Sequence, residues 1–404
     1  MTSLLLSLTR SWRALAALLV ATTLAVGCGG GADSGVGAGG TGSPLSFSQG
    51  PITGFGSIIV NGVHFDDSGA SVVDDDGNVL SGAQSLRLGT VVDVQGGVVT
   101  NGAAAASAIH VHVDLVGPVT AAYDATSGRL SVLGQPVRVL DITALDAFSG
   151  GAGSIPVGSV VAVSSLYDKA TGVYVATRIA PAPGATRFAI RGAPTAVDTA
   201  AHTFTIGAAV FSYGSVAPPA SFAAGQLLRA VLARTVDSQG RWVVTAFGQA
   251  APTLPDGRRG GLEGVVNSAT DSTHFVVDGV SVDASGATVT PAGSTVAVQS
   301  RVEVHGTIVA GVLVATSVEV DAGDDGQENH GGDGDRFQLV GAILGLDTAH
   351  QTLTMRGPTT VSYATASFSS GTSADLAVGK AIEVKGNLST DGGQVIATEI
   401  KFGH

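Results

Sequence analysis

Only one cysteine, Cys28, stands in the 404 residues of the chain. An intrachain disulfide is therefore impossible, and a zinc site built from several cysteines is excluded. Charged residues make up 13 % and aromatic residues 5 %, which is unlike an average globular enzyme. Basic charge is in deficit. The net charge is -12, which repels phosphate, and nucleic acid is not an expected partner. Trp242 is the only tryptophan beyond the N-terminal leader, so the stacked aromatic platform that binds bases or sugars is also missing. Long helical periodicity is absent after the leader. So are a nucleophile elbow, a His-Glu-x-x-His helix, a phosphate loop and a dinucleotide fingerprint. What the chain does have is 58 glycines amid many Val, Thr, Ala and Ser residues. Val and Thr suit strands, and Gly suits turns and bulges, so the fold class expected is all-β.

The first residues carry an address. Arg10 and Arg13 precede an apolar run from Ala14 to Val26, interrupted by Thr22 and Thr23. The run is short for a membrane span and reads as a secretory signal peptide over residues 1–27. It ends in Ala25-Val26-Gly27-Cys28, which resembles the lipobox of bacterial lipoproteins, although Ala25 replaces the usual Leu. The resemblance implies cleavage before Cys28, a thioether-linked diacylglycerol on its sulfur and acylation, for example by palmitate, of the new N-terminus. Two or more acyl chains give stable anchoring, since each buried CH2 contributes about 0.8 kcal/mol. Gly29 follows where Asp would signal inner-membrane retention, so the resemblance favours the outer membrane. Residues 28–48 read as a flexible Gly-rich tether.

Beyond the tether the chain repeats itself. Ile58-Ile59-Val60-Asn61-Gly62-Val63-His64-Phe65 places Asn-Gly between two apolar runs, the strongest short hairpin signal. Val276-Val277-Asp278-Gly279-Val280-Ser281-Val282 repeats it, and weaker copies fall at Leu133-Gly134, Ile206-Gly207 and Arg356-Gly357. The copies lie roughly 70 to 80 residues apart, the length of one small module. A Gly-led apolar strand precedes each copy. A strand of period-two alternation follows, as in Arg301-Val302-Glu303-Val304-His305-Gly306 and Ala381-Ile382-Glu383-Val384-Lys385-Gly386. There the valines and Ile382 are expected inside, with Glu303, His305, Glu383 and Lys385 in water. Each unit closes with one more strand, such as Val314-Ala315-Thr316-Ser317-Val318 or Ile396-Ala397-Thr398-Glu399-Ile400. The third unit is degenerate around Gly225-Gln226-Leu227-Leu228.

Five short strands in so few residues cannot make an open sandwich with much core, whereas a closed barrel removes the sticky edges. The expected architecture is therefore a tandem array of about five small five-stranded, OB-like β-barrels. The modules are assigned to residues 49–114, 115–183, 184–256, 257–322 and 336–404, with an acidic linker at 323–335. A module of this size buries only about 60 % of its unfolded surface, so neighbours are expected to support one another. The segment from Thr53 to Phe65, the Val378-to-Gly386 segment and the Ala397-to-Ile400 strand resemble the tandem bacterial repeat known as domain of unknown function 5666. The resemblance covers most of the chain after the tether, best in the first, fourth and fifth modules, and the third departs from it. It implies an envelope location and a repeat architecture and carries no activity.

Three clusters could carry chemistry. Asp321 to Asp335 offers oxygen ligands on a Gly-rich stretch, as Ca2+ prefers, but without EF-hand spacing, and reads first as a solvated linker. His110 and His112 share a strand face near Asp114, with no third metal ligand visible nearby, and read first as a solvent-facing pair. Asp74-Asp75-Asp76-Gly77-Asn78 reads as a hairpin turn. No catalytic, cofactor-binding or metal-binding residue is therefore assigned, and the one modified position expected is Cys28. The five tyrosines are scattered and read as core or strand residues. The reading is a non-enzymatic envelope lipoprotein, structural or interacting, with a protein or polysaccharide partner left open. A protein binding divalent cations or envelope polysaccharide, and a hydrolase with an unfamiliar site, stand as alternatives.

Overall fold

The computed structural model describes residues 45–81, 85–145, 147–251, 254–321 and 336–403. The signal peptide, Cys28, most of the tether and the acidic stretch at 323–335 lie outside the described residues. The strands belong to one unit, Ser43–His404. Among the described residues no helix is long and apolar enough to cross a membrane.

The first barrel is built from β1 (Leu45–Pro51), β2 (Gly54–Phe55), β3 (Ile58–Val60), β4 (Val63–Asp66), β5 (Ser71–Asp74), β6 (Val91–Val98) and β7 (Ala103–His112). The second has β8 (Leu115–Asp124), β9 (Arg129–Val132), β10 (Gln135–Ala144), β11 (Val160–Asp168) and β12 (Val173–Pro181). The third runs through β13 (Phe188–Gly192), β14 (Ala196–Asp198), β15 (Thr203–Ile206), β16 (Ala209–Ser212), β17 (Leu228–Val236) and β18 (Trp242–Gly248). The fourth comprises β19 (Arg259–Ala269), β20 (His274–Val277), β21 (Val280–Asp283), β22 (Thr288–Thr290), β23 (Arg301–Val309) and β24 (Val312–Val320). The fifth is β25 (Phe337–Ala342), β26 (Gly345–Asp347), β27 (Thr352–Met355), β28 (Thr359–Ser362), β29 (Ser367–Ser369), β30 (Ala381–Leu388) and β31 (Val395–Phe402).

One pairing scheme recurs. In the fourth barrel β19 bends, pairing with β20 through its C-terminal half and with β23 through its N-terminal half. The hairpin β20–β21 follows, β21 pairs in parallel with β24, and β24 returns antiparallel to β23. The ring of leading strand, hairpin, closing strand and alternating strand is thus closed, in the order of an OB barrel. The second barrel repeats it through the parallel pair β10–β12, and the third through β16–β18. The degenerate third module therefore still forms its alternating strand, β17, with Leu228, Ala230 and Leu232 buried.

The local reasons lie in the repeated residues. At the hairpin turns of the first and fourth barrels, Asn61 and Gly62 have φ 49° and 67°, and Asp278 and Gly279 have φ 49° and 86°. Two positive φ values in succession match the right-handed twist of the flanking strands, which is why Asn-Gly and Asp-Gly stand there. The glycine ending the alternating strand has a different reason. Gly306 and Gly386 sit where the register shifts against the closing strand. A Cβ there would stand 2.1 Å from the Val314 carbonyl oxygen and 2.2 Å from that of Ile396. The motif glycine admits the closing strand's backbone at a bulge.

The barrels do not hang free. Strand β1 pairs in parallel with β19, β2 pairs in parallel with β25, and β8 pairs antiparallel with β13. The first and fifth barrels share one continuous apolar interior, and the second and third share another. Two expectations are corrected by this packing. Leu45–Ser48 belong to β1 rather than to the tether, because Phe47 fills the interior of the fourth barrel. Glu383, expected in water, is buried, because the first barrel covers that face of the fifth and Gln338 donates a hydrogen bond of 2.7 Å to its carboxylate. The tyrosines Tyr167, Tyr174, Tyr213 and Tyr363 are buried core residues, as expected.

Candidate functional site

Where the first four barrels meet, the otherwise apolar body buries a group of charges. The stretch Asp74–Asn78 is the turn the sequence indicates. Asp74 accepts hydrogen bonds from the amides of Asp76 and Asn78, and Gly77 has φ 78°. Having fixed that turn, Asp74 leaves its neighbours free to point inward. Asp76 meets Arg229 at 2.8 Å and Arg187 at 3.1 Å, both from the third barrel. Asp75 accepts the Val113 amide at 2.9 Å and lies 2.8 Å from His112 Nδ1 and 3.4 Å from His110 Nε2.

The parallel pairing of β5 with β7 produces this convergence, because it lays Val73 and Asp74 against His110 and Val111. The loop after β5 then drops over the histidine face of β7. His110 and His112 stand two apart on one face, with ring centroids 4.4 Å apart. On the neighbouring strand β6, Asp93 Oδ2 lies 2.9 Å from His112 Nε2, off the line of a hydrogen bond, so this contact is an attraction of charges. Asp93 Oδ1 is buried and accepts no hydrogen bond among the described residues.

A second knot adjoins the first. Arg191 on β13 meets Asp114 at 3.3 Å and, from the β20–β21 turn, Asp278 at 2.9 Å. Gln49 donates a hydrogen bond of 3.1 Å to Asp278, and the Ser165 hydroxyl and amide both serve Asp114. One guanidinium thereby ties the third barrel to the fourth and to the junction between the first two.

Burial and charge set the titration of these groups. Burial opposes a charge on His112, but Asp93 and Asp75 outweigh it and hold the imidazolium up to about 10. His110 moves the other way: burial and the neighbouring His112 charge lower it, so its ring is neutral at neutral pH. Burial also raises Asp75, but the hydrogen bond and charge of His112 and the Val113 amide bring it below its usual range. Burial pushes Asp114 up to about 6, against the pull of Arg191.

Against the sequence, the His110–His112 pair is where the strand pattern places it, but it does not face water. His112 is mostly enclosed, with a side chain 14 % exposed, and Asp114 turns away to Arg191. The third partner is Asp75, hidden inside a stretch that reads as a turn. One donor atom each from Asp75, His110 and His112 fall within 4.8 Å of one another, a spacing that could hold a metal ion. Sequence reasoning also missed Arg191, Arg229 and Asp278. Their signal was faint: arginines at mid-strand positions of an otherwise apolar segment, Phe188–Gly192 and Leu228–Leu232. A separate concavity of about 390 Å3 lies between the first and fourth barrels, lined by Ser46, Ser48, Arg259, His305 and Thr307. Its His305 is held at 2.9 Å by Glu303.

Fold and junction together define a protein of fused, tandem OB-like barrels. The family described as "Domain of unknown function (DUF5666)" matches three stretches of the chain, residues 116–180, 263–319 and 340–401, as tandem repeats of that family would. The matches fall on the second, fourth and fifth barrels. The first barrel, expected among the best copies, is not matched although it shares the pairing scheme. No curated protein matches the chain.

Proposed function

We propose that the chain is a non-enzymatic lipoprotein of the cell envelope, held to the outer membrane through acylated Cys28, whose fused barrels form a structural and interaction platform. The observation that carries the reading is the fusion itself. Strands pair across barrel boundaries, and the buried charges hold barrels to one another. A body built this way presents a fixed outer surface. Asp75 is held by the Val113 amide and by His112, an arrangement suited to holding and not to turnover. The lipobox-like Ala25-Val26-Gly27-Cys28 and the Gly-rich residues after it support a tethered position above a bilayer.

Radiolabelled palmitate with membrane flotation tests the anchor, and a panel of esterase, glycosidase and peptidase substrates tests the absence of catalysis. The expected outcome is label in the wild-type chain and its flotation with outer membrane, both lost in Cys28→Ala, with no turnover. Wild-type protein in the soluble fraction would overturn the anchor. Turnover that follows the purified protein would overturn the non-enzymatic reading.

A further inference from the structure

We propose that Asp75, His110 and His112 bind one divalent first-row transition-metal ion of the zinc type at the junction of the barrels. This goes beyond the platform reading and does not depend on the anchor.

The first argument is spacing. Zinc takes imidazole nitrogen and carboxylate oxygen at about 2.0–2.2 Å in a tetrahedral arrangement, which puts neighbouring donors about 3.3 Å apart. The Asp75 Oδ1 oxygen lies 2.8 Å from His112 Nδ1 and 3.4 Å from His110 Nε2. Two of the three donor pairs already stand near that separation and all three donors lie within 4.8 Å of one another, on two elements fixed by strand pairing.

The second argument is what lies behind the donors. Metal-ligating histidines usually direct their other ring nitrogen to a carboxylate or a backbone carbonyl, which fixes ring and tautomer. Here the far nitrogen of His112, Nε2, faces Asp93 at 2.9 Å. The His112 ring is thus backed by a carboxylate on the side away from Asp75.

Charge and access agree. Asp75 and Asp93 flank His112 on both sides and now hold a proton on it, so a divalent cation would take the place of that proton and binding would release it. The nearest guanidinium atom, Arg229 Nε, stands 3.7 Å from Asp75, too far for a hydrogen bond. His110 remains 31 % exposed, which leaves an entry path from solvent. Imidazole and carboxylate together suit Zn2+, Co2+ and Ni2+ better than Ca2+ or Mg2+.

The test uses the full chain in detergent. Calorimetric titration with Zn2+ is compared for wild type and His110→Ala, and Co2+ is followed by its visible absorption. His110 is the ligand to remove because it is 31 % exposed and its loss leaves the closer His112 contacts with Asp75 and Asp93 in place, so the metal-free melting temperature should change little. The expected result is one site in wild type that weakens at least tenfold in His110→Ala, and four-coordinate Co2+ bands that vanish with it. Asp93→Asn, which leaves all three ligands in place, should weaken the same site by about 10- to 100-fold. A Zn2+-soaked crystal should show an anomalous peak within bonding distance of the three donors. Equal binding by wild type and His110→Ala, or no peak at the junction, would overturn the proposal. Binding assigned to the surface pairs His274–Asp271 or His350–Asp347 would count against it in the same way.

Discussion

The barrel interiors and the junction between barrels are held by opposite kinds of contact. The fourth barrel is closed by Val302, Val304, Val318 and Val320, aliphatic side chains at alternating strand positions. The junction is closed by Asp114, Arg191, Asp278, Asp76 and Arg229, charges drawn from different barrels. Apolar contacts are non-directional and tolerate drift in the sequence, which is why five diverged copies can close the same way. A buried ion pair is directional and demands one geometry, and losing one partner costs more than the pair contributes. The repeat thus builds the barrels, and at this junction charges from outside the repeated motif join them, with Asp278 of the fourth hairpin turn.

The contrast can be broken first at its charged side. Arg191→Ala leaves Asp114 and Asp278 buried without their shared cation, and the expected loss is about 3–5 kcal/mol by denaturant unfolding. Replacement by Met, which removes the charge but keeps the length, is expected to cost as much, because both carboxylates stay. A cost near zero would mean that the junction does not hold the barrels.

On the apolar side, Ile382→Ala in the fifth barrel is expected to lose about 2–5 kcal/mol, since Ile382 is fully buried. Because the first and fifth barrels share an interior, hydrogen exchange should quicken in both. Confinement of the effect to residues 337–402 would show that the shared core is only contact.

The pH dependence sharpens the comparison further. The folded state holds the His112 proton up to about 10, well above its value in an unfolded chain. The contribution is therefore fully present below about pH 6.5 and lost as pH rises toward 10. Melting temperature of the metal-free protein should fall across that window, and His112→Asn should flatten the slope. The smallest effect belongs to a surface pair. Arg241→Ala, which removes the contact of 2.7 Å with Asp237 in a surface turn, should leave the denaturant midpoint almost unmoved.

The same contrast explains what could be read from residues alone. Asn61-Gly62 and Asp278-Gly279 announce their hairpins, and Val302 and Val304 announce an inward face, because turn chemistry and period-two alternation are local. Glu383 could not be placed correctly, since its burial depends on which barrel lies over it. Asp75 was masked by its own turn: Asp74 makes the turn, and only the pairing of β5 with β7 turns Asp75 onto the histidines. Asp278 serves twice, as the positive-φ turn residue and as a partner of Arg191. Leu45 to Ser48 lie beside a Gly-rich stretch and look like its continuation until β19 is seen alongside.

Residue-resolved amide hydrogen exchange on the full chain tests the fusion of the barrels most directly. The amides of β1 that face β19, and those near Leu115 and Ile190 where β8 meets β13, should exchange as slowly as the interior strand Arg301–Val309. Exchange there at the rate of exposed edge strands would contradict the account and leave five barrels joined only by chain.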